Sequence, residues 1–518
     1  MITITPNLTS DNLSSNLNAR RTNIYNSNKM PDMVDCVSFS GSIKSSKFSR
    51  GFISALSETF DNFVCKITKS KEGLSEREVA KLQSQLEATE QELRMLEERK
   101  LQLGRLLDYD KLRKNGFSVG EIERFVQEDN LAIVNAQRYI EHDLELREHM
   151  FGYPANMTQD SAMTKYLRLR ETELPLMNNC GDPYDAGNYL MDSKGYEQAL
   201  LSKLFKHFGL DSEKCAKPWG YITTGGSESN KWGIHNGLRK FPNGRVYYSQ
   251  SAHYSVGKSV KIGFDNSKND ITLIKHSEIS LQPNSEKIDT DVLLSQIREN
   301  WRTNQEPAIL LLTSGTTKTG AVDDVEFISK TLKAEDIPHY IHLDAALFGG
   351  IAKNQVDAPK APNFEELGID SISVSLHKYF GNHDVKSVVI TREMPNAPKV
   401  DYIGQYDSTT AGSRTFNPFS SLQRVSETLD RTMPQEYSRN VARFESMLKQ
   451  FNIEYSRAEN SNIFVIDEPS ARISQKYQLS DFEDNGKKKS HIIIFPYHKP
   501  EKMLELVSDL VKDVNIKN

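Results

Sequence analysis

The chain has 518 residues, of which 37% are hydrophobic and 26% charged, and its formal net charge at pH 7 is -5. This composition is typical of a globular protein and disfavours a nucleic-acid partner, since phosphate binding requires a basic surface. The longest apolar runs, such as 309–312 and 492–495, are far shorter than the roughly 20 residues of a membrane-spanning helix. We therefore expect no membrane span and no nucleic-acid partner.

Four cysteines, Cys36, Cys65, Cys180 and Cys215, show no CxxC pairing and no nearby histidine at the spacing of a zinc site. They predict free thiols in a reducing compartment, and no metal. Residues 1–30 are rich in Ser, Asn and Thr and lack the apolar segment of a secretory signal. These features predict a cytoplasmic protein.

Two segments precede the part of the chain that has an α/β pattern. Residues 1–70 are polar and low in complexity, and such a composition predicts a disordered segment. In residues 71–150, apolar residues at heptad a and d positions predict a helix that pairs with another helix. These positions are Val79, Leu82, Leu86, Leu93, Leu96, Leu103 and Leu107.

Glycines and an asparagine are expected to end this first helix. They are Gly104, Asn115 and Gly116, and a second helical stretch is expected from 119 to 150. The pattern is compatible with a helical hairpin that packs on its own domain and with a coiled coil that binds another subunit or a partner.

From residue 151 onward, short apolar strands alternate with amphipathic helices such as 229–240 and 289–301. The predicted strands are Tyr221–Thr223, Arg245–Tyr248, Ile271–Ile274, Ile309–Thr313, Tyr340–Leu343, Ser371–Ser375 and Ser387–Thr391. This alternation predicts an α/β large domain over 151–415, with a mostly parallel sheet covered by helices on both faces.

The remaining residues, 416–518, predict a small α+β domain. A long helical stretch over about 418–451 leads into it, and its strand candidates are 462–466 and 491–496. A closing helix is expected over 501–514.

A glycine-rich turn is the first of three segments with possible chemistry. Gly225, Gly226 and Ser227 stand between a predicted strand and a predicted helix. Glycines allow backbone N–H groups to approach an anion, and a helix N-terminus favours negative charge. Taken alone, such a turn is also compatible with a simple connection between two elements.

The other two segments place a charged residue at the end of an apolar strand. Asp344 follows one strand, and a carboxylate in an apolar surround requires a cation such as a protonated pyridine nitrogen. Lys378 follows another, where desolvation activates a lysine amine for Schiff-base chemistry. Each also has a plain structural interpretation, Asp344 as a helix cap and Lys378 as a surface lysine.

Taken together, these segments resemble enzymes of the aspartate-aminotransferase fold (fold type I), which depend on pyridoxal 5'-phosphate (PLP). Seven motifs follow one another in order along the chain: NNCGDPYDAGNYL (178–190), WGYITTGGSESN (219–230), VYYSQSAHYSVGKSVK (246–261), SGTTKTGAVDD (314–324), YIHLDAAL (340–347), DSISVSLHKYFG (370–381) and AGSR (411–414). Through these motifs, residues 135–518 resemble the bacterial PLP-dependent histidine decarboxylases and plant serine decarboxylases, within the group II amino-acid decarboxylases.

The resemblance implies a role for each matched residue. Lys378 would carry PLP as a Schiff base, Asp344 would pair with the pyridine nitrogen, and His253 would stack on the ring beside the substrate. The phosphate-binding turn matches Gly225, Gly226 and Ser227, with Ser375 and His377 near the phosphate. Thr316 and Ala346 match positions that line the cofactor.

The resemblance also implies the reaction and the assembly. The substrate amine would displace Lys378 to form an external aldimine, and CO2 would leave as the ring takes up the electrons. Histidine is the first expected substrate and would give histamine. A homodimer or higher homo-oligomer is expected, since the related enzymes build their sites between two subunits.

The chain departs from the family pattern at 382–387, where the family has Gly-Ser-Pro or Gly-Cys-Pro and then Pro-Cys-Gly, and at 415–417. These departures predict an altered substrate pocket. The alternatives are therefore serine or another amino acid as substrate, another PLP reaction such as transamination, and a PLP-fold protein that acts as a coiled-coil interaction module. The retention of Lys378, Asp344 and His253 counts against the last.

Overall fold

The structure is a computed structural model that describes residues 75–210, 217–261, 274–353, 355–430 and 433–517. The predicted disordered segment over 1–70 lies outside the described residues, as do three of the four cysteines. The boundary between two compact units lies between Glu141 and His142. The division into 71–150, 151–415 and 416–518 stays a prediction.

The first unit contains helix α1, Glu76–Lys114, and most of helix α2, Val119–Glu148. The expectation that Gly104 ends the first helix is wrong, because α1 continues through it to Lys114. A single glycine costs a helix only about 1 kcal/mol, which the surrounding leucine, glutamate and lysine residues offset. The helix ends directly before Asn115, one of the predicted stops.

The two helices contact each other near their connecting turn. The guanidinium of Arg105 donates to Asn130 Oδ1 at 2.7 Å, and the Tyr109 hydroxyl donates to Asp129 Oδ2 at 2.8 Å. Five of the heptad positions are nevertheless exposed by 40% to 64%: Val79, Leu86, Leu96, Leu103 and Leu107. A coiled coil with another chain stays a prediction.

The second unit is built on a seven-stranded sheet. Its strands are β1 Trp219–Thr223, β2 Arg245–Ser249, β3 His276–Ile279, β4 Ala308–Thr313, β5 His339–Asp344, β6 Ser371–Ser375 and β7 Ser387–Thr391. The strand order is β1-β7-β6-β5-β4-β2-β3, and only β7 runs antiparallel to its neighbours. The predicted α/β class with a mostly parallel sheet is confirmed. Most of the predicted strand 271–274 lies outside the described residues.

Helices cover both faces of this sheet. The helices described between residues 162 and 450 are α3 Ala162–Glu171, α4 Lys194–His207, α5 Gly226–Lys240, α6 Tyr254–Lys261, α7 Thr290–Asn304, α8 Val325–Ala334, α9 Phe364–Leu367, α10 Pro418–Asp430 and α11 Met433–Gln450. The stretch predicted as helical over 418–451 is α10 and α11, and residues 431 and 432 between them are not described.

Strand β4 shows why the strands read as continuous apolar runs, since all six of its residues are buried. Ile309 and Leu311 pack in one cluster with residues of α5 and α6, whereas Leu310 and Leu312 pack in another with residues of α4, α7 and α8. Successive side chains of a strand point to opposite faces, so this alternation defines an α5 face and an α7 face of the sheet.

A smaller antiparallel sheet follows, with β10 Ile463–Asp467, β11 Ser480–Asp484 and β12 Lys487–Ile493 in the order β10-β12-β11. Helix α11 and the last helix, α13 Pro500–Lys517, share a hydrophobic core with it. The short helix α12, Ala471–Lys476, and strand β11 are absent from the sequence prediction, because the polar sequence of β11 lacks an apolar pattern.

A two-stranded ribbon, β8 Lys399–Val400 and β9 Gln405–Tyr406, completes the strands described. Within the described ranges, none of the helices combines the length and the apolar character that a membrane span requires.

Candidate cofactor-binding site

A row of polar side chains lies on the α5 face of the sheet, in strands β5 and β6. The apolar residues of these two strands are on the opposite face. In β5 the residues of the row are Tyr340, His342 and Asp344, and in β6 they are Ser371, Ser373 and Ser375. All six are buried. Buried polar groups require hydrogen-bond partners, so the side chains of this row must find theirs inside the protein.

Asp344 ends strand β5 and is only 4% exposed. Its Oδ2 accepts a hydrogen bond from Asn230 Nδ2 at 2.6 Å, and its Oδ1 accepts one from the backbone N–H of Ala346 at 3.0 Å. Within the described part of the chain, no Lys, Arg or His forms an ion pair with Asp344. Among the described residues, this buried carboxylate therefore has no cation in an ion pair with it.

Lys378 follows β6 after two residues and is half-buried. Burial lowers the pKa of its amine, and the Asp344 carboxylate opposes this shift. A lowered lysine pKa increases the fraction of neutral amine, which is the nucleophilic form. The backbone carbonyl of Lys378 accepts a hydrogen bond from Asn156 N at 2.8 Å, which fixes the chain at this position.

His253 lies in the connection between β2 and α6 and is also half-buried. Its Nδ1 accepts from the Ser255 backbone N–H at 3.3 Å and lies 2.8 Å from Ser255 Oγ. Burial lowers its pKa, Asp344 opposes this and Lys378 adds to it. The ring is therefore neutral at pH 7 and carries its proton on Nε2.

The predicted anion-binding turn is the N-terminus of α5. The helix begins at Gly226, and the side chain of Ser227 is exposed. A Cβ atom at Gly226 would lie 3.3 Å from Ser375 Oγ, which in turn lies 3.1 Å from Ser387 Oγ. The first N–H groups of a helix have no partner within the helix, so this glycine surface is suited to an anion.

The other predicted site residues, Ala346, His377 and Thr316, each form a different hydrogen bond. Ala346 lies between two site residues, since its N–H donates to Asp344 and its carbonyl accepts from Ser375 N. The His377 Nδ1 lies 3.3 Å from the Lys386 carbonyl, and burial lowers the pKa of this ring. The Thr316 hydroxyl accepts from Ala321 N within the loop after β4.

The sequence prediction missed three residues of the site: Asn230, His342 and Ser373. Asn230 of α5 bonds Asp344, and its Oδ1 accepts from Ser373 Oγ at 2.6 Å and from His342 Nε2 at 3.2 Å. A signal for two of them exists in the sequence, because polar residues at every second position of a fully buried strand define a polar face. Asn230 has no such signal, since only the fold brings its helix to this face.

The two segments that depart from the family pattern contact each other. Asn417 N donates to Asp384 Oδ2 at 3.4 Å. Asn382 Nδ2 donates to Ser421 Oγ of α10 at 2.9 Å, and His383 Nε2 lies 3.3 Å from Asp160 Oδ1. The departures thus form one connected structure next to the chain that carries Lys378.

No family model matches the chain. The histidine decarboxylase of Pseudomonas entomophila is 32% identical over 387 residues, which cover 72% of this chain and 89% of that protein. The histidine decarboxylase of Morganella morganii is 32% identical over 381 residues, which cover 70% of this chain and 92% of that protein.

Among solved structures, the L-methionine decarboxylase from Streptomyces sp. 590 aligns with a TM-score of 0.62 at 21% identity, over 75% of this chain and 96% of that one. The sphingosine-1-phosphate lyase of Burkholderia pseudomallei aligns with a TM-score of 0.58 at 14% identity, over 75% of this chain and 90% of that one. The fold class expected from the sequence is therefore confirmed.

Proposed function

The chain belongs to the histidine decarboxylase family, and on that premise we propose that it removes the α-carboxyl group of L-histidine as CO2, with PLP as cofactor. The observation that carries the proposal is the presence of a buried carboxylate, Asp344, and of a lysine of lowered pKa, Lys378, at the carboxyl ends of two neighbouring strands. Ligands bind at this edge in open α/β sheets.

The residues present fit the cofactor. Asp344 is buried without a cation among the described residues, and a protonated pyridine nitrogen is a cation of suitable size. The buried Thr313 Oγ1, in register with Asp344, has no hydrogen-bond partner among those residues either. Gly226 brings no side chain to the surface beside Ser375, where an added Cβ atom would lie 3.3 Å from Ser375 Oγ.

We assign the holding of the cofactor to these groups. The turn Gly225–Gly226–Ser227 and the nearby Ser375 and His377 would bind the phosphate. Lys378 would attach the cofactor covalently, His253 would stack on its ring, and Asp344 would bind the ring nitrogen. Thr316 and Ala346 would line the ring from the strand ends.

When bound, the cofactor supplies an electron sink for the bond that breaks at the substrate's α-carbon. Asp344 would hold the proton on the ring nitrogen, because a carboxylate in a low-dielectric site favours a cationic partner. Burial lowers the pKa of the Lys378 amine, which increases the fraction in the neutral, nucleophilic form. His253 accepts from Ser255 N at Nδ1, so the proton of its neutral ring is on Nε2, the atom that remains for a bond to the substrate.

We also propose a homodimer and a cytoplasmic location. The second unit exposes large apolar side chains in two neighbouring stretches: Leu176, Tyr184, Tyr189, Leu190, Met191, Tyr402 and Tyr406. The rings of Tyr189 and Tyr402 lie 6.3 Å apart, which joins the stretches into one patch. An exposed apolar patch of this kind supports an interface with a second copy. The cytoplasmic location rests on the sequence alone.

The test is CO2 release from a panel of L-amino acids by the PLP-loaded protein, with the amine identified by mass spectrometry. We expect release from histidine, and its loss in Lys378→Ala. The matched control is Lys330→Ala, because Lys330 is exposed on α8 in an ion pair with Glu326. Release from serine alone would reject histidine as substrate, and no release from any amino acid by the loaded protein would reject the proposal.

A further inference from the structure

A chain of hydrogen bonds runs behind Asp344 through the interior of the protein. Asn236 Nδ2 donates to Tyr340 OH at 3.0 Å, and Tyr340 OH donates to Ser371 Oγ at 2.8 Å. Ser371 Oγ lies 2.7 Å from His342 Nδ1. His342 Nε2 lies 3.2 Å from Asn230 Oδ1. The chain connects two residues of α5 through the polar faces of β5 and β6.

The direction of each bond follows from its two ends. The Asn230 amide donates to a carboxylate that can only accept, so Asn230 Oδ1 is the acceptor of its other bonds. His342 therefore carries its proton on Nε2 and accepts at Nδ1 from the Ser371 hydroxyl. Burial lowers the pKa of His342 to about 4, so the ring is neutral at pH 7. Every dipole in the chain points its positive end toward Asp344.

The packing between α5 and β5 is what permits this arrangement. A Cβ atom at Gly233 would lie 2.2 Å from His342 Nδ1, so the imidazole occupies the space that a side chain on α5 would need. A second donor, Ser373 Oγ, binds Asn230 Oδ1 at 2.6 Å. The amide of Asn230 is thus held on both of its atoms and has one orientation.

We propose that Asn230 is a positioning residue for the reaction, which fixes the orientation of the Asp344 carboxylate through this hydrogen-bond chain. The inference rests on the proposed function. It assigns to α5 two tasks, since its N-terminus would bind the phosphate and its second turn holds the carboxylate for the ring nitrogen. The two contacts would then set the position of the cofactor from one rigid element.

The test replaces Asn230 by aspartate, which has the same shape but cannot donate when ionised. A hydrogen bond to a charged group is worth enough that we expect cofactor affinity to fall roughly ten- to hundredfold. The pH dependence of the bound cofactor's visible absorbance is expected to shift, because the ring nitrogen loses its fixed partner. We also expect kcat to fall while KM stays near its wild-type value. The control is Asn300→Asp on α7, whose amide donates to Tyr247 OH at 2.9 Å away from the site.

A second pair of variants does not depend on the folding of Asn230→Asp. His342→Gln places an amide N–H near the position of Nε2–H, whereas His342→Leu offers no donor. We expect His342→Gln to keep the wild-type absorbance profile and His342→Leu to shift it in the direction of Asn230→Asp. Equal profiles for the two variants would show that His342 acts by packing alone and would overturn the proposal.

The cofactor measurements separate this inference from the proposed function. A wild-type protein that binds PLP and decarboxylates, together with an Asn230→Asp variant of unchanged cofactor affinity and absorbance, would reject the positioning role only. A wild-type protein with no cofactor absorbance would reject the proposed function, and the positioning role with it.

Discussion

Arg414 and Glu197 form a buried ion pair in which Arg414 Nη2 lies 3.4 Å from Glu197 Oε2, and their side chains are 3% and 0% exposed. The carboxylate also accepts from Ile222 N of strand β1 and from Asn179 Nδ2. The Arg414 guanidinium donates to the Gly181 carbonyl at 2.9 Å. The motifs at 178–190 and 411–414, which lie more than two hundred residues apart in the sequence, therefore meet at strand β1.

Removal of Arg414 is expected to destabilise the protein. Arg414→Met leaves Glu197 buried without a cation, and such a change costs about 3–5 kcal/mol of the free energy of unfolding. Urea unfolding of the cofactor-loaded protein measures it. The control is Arg302→Met, whose pair with Glu299 is exposed and i,i+3 on one helix, so its midpoint should not move measurably. Equal midpoints for both variants would contradict the structural role of Arg414.

A side chain at the start of α5 is expected to weaken cofactor binding. Gly226→Ala places a methyl group 3.3 Å from Ser375 Oγ, on the surface proposed for the phosphate. We expect affinity for PLP to fall about tenfold, the value of one weakened hydrogen bond to a charged group. An absorbance titration of the protein with PLP measures it. Gly104→Ala in α1, where no atom lies within 4 Å of the new methyl, should bind PLP as the wild type does.

The turn after Lys378 depends on a glycine for two reasons. Gly381 has a φ of +71°, and a Cβ atom there would lie 2.4 Å from both Asn156 O and Arg424 Nη2. Because Asn156 N also holds the Lys378 carbonyl, Gly381→Ala should displace the lysine and reduce kcat as well as stability. The backbone strain alone is worth about 1–3 kcal/mol.

Gly486→Ala separates strain from contact, since Gly486 has a φ of +74° and no atom within 4 Å of an added Cβ. This variant should lose some stability and keep its turnover rate. Thermal unfolding and CO2 release of both variants measure the difference. A Gly381→Ala protein with wild-type turnover would contradict the coupling to Lys378.

As the pH falls, the free energy of unfolding is expected to decrease, in part because of His498. Its Nδ1 accepts from Phe495 N at 2.9 Å and its Nε2 lies 3.1 Å from the Met150 carbonyl, so the buried ring is neutral. Burial lowers its pKa to about 3. A depressed pKa in the folded state gives stability that is present above the unfolded value, about 6.5, and is lost as the pH falls toward 3.

His498→Gln has no such proton to bind. Between pH 6 and pH 4, its free energy of unfolding should therefore depend less steeply on pH than that of the wild type. The two slopes should differ by about 1.4 kcal/mol per pH unit. Urea unfolding at several pH values measures the two slopes. His142→Gln, on the exposed surface of α2, should retain the wild-type slope. Parallel slopes for His498→Gln and the wild type would contradict the assignment.

The sequence by itself determined the alternation of strands and helices. Strands β6 and β7 have the predicted bounds, and all of their residues are buried. A strand buried on both faces is recognisable in the sequence as a continuous apolar run, or as apolar and polar residues in alternation. The sequence also placed Asp344 and Lys378 at strand ends, since a charged residue after a buried run is a local feature.

Only the tertiary structure decided which side chains meet at the site. The contact of Asn230 with Asp344 joins residues 114 positions apart, and it exists because Gly233 lets α5 approach β5 at His342. No local pattern encodes such a distance. Helix α1 likewise continues through Gly104 because the summed helix propensity of its many other residues outweighs one unfavourable position.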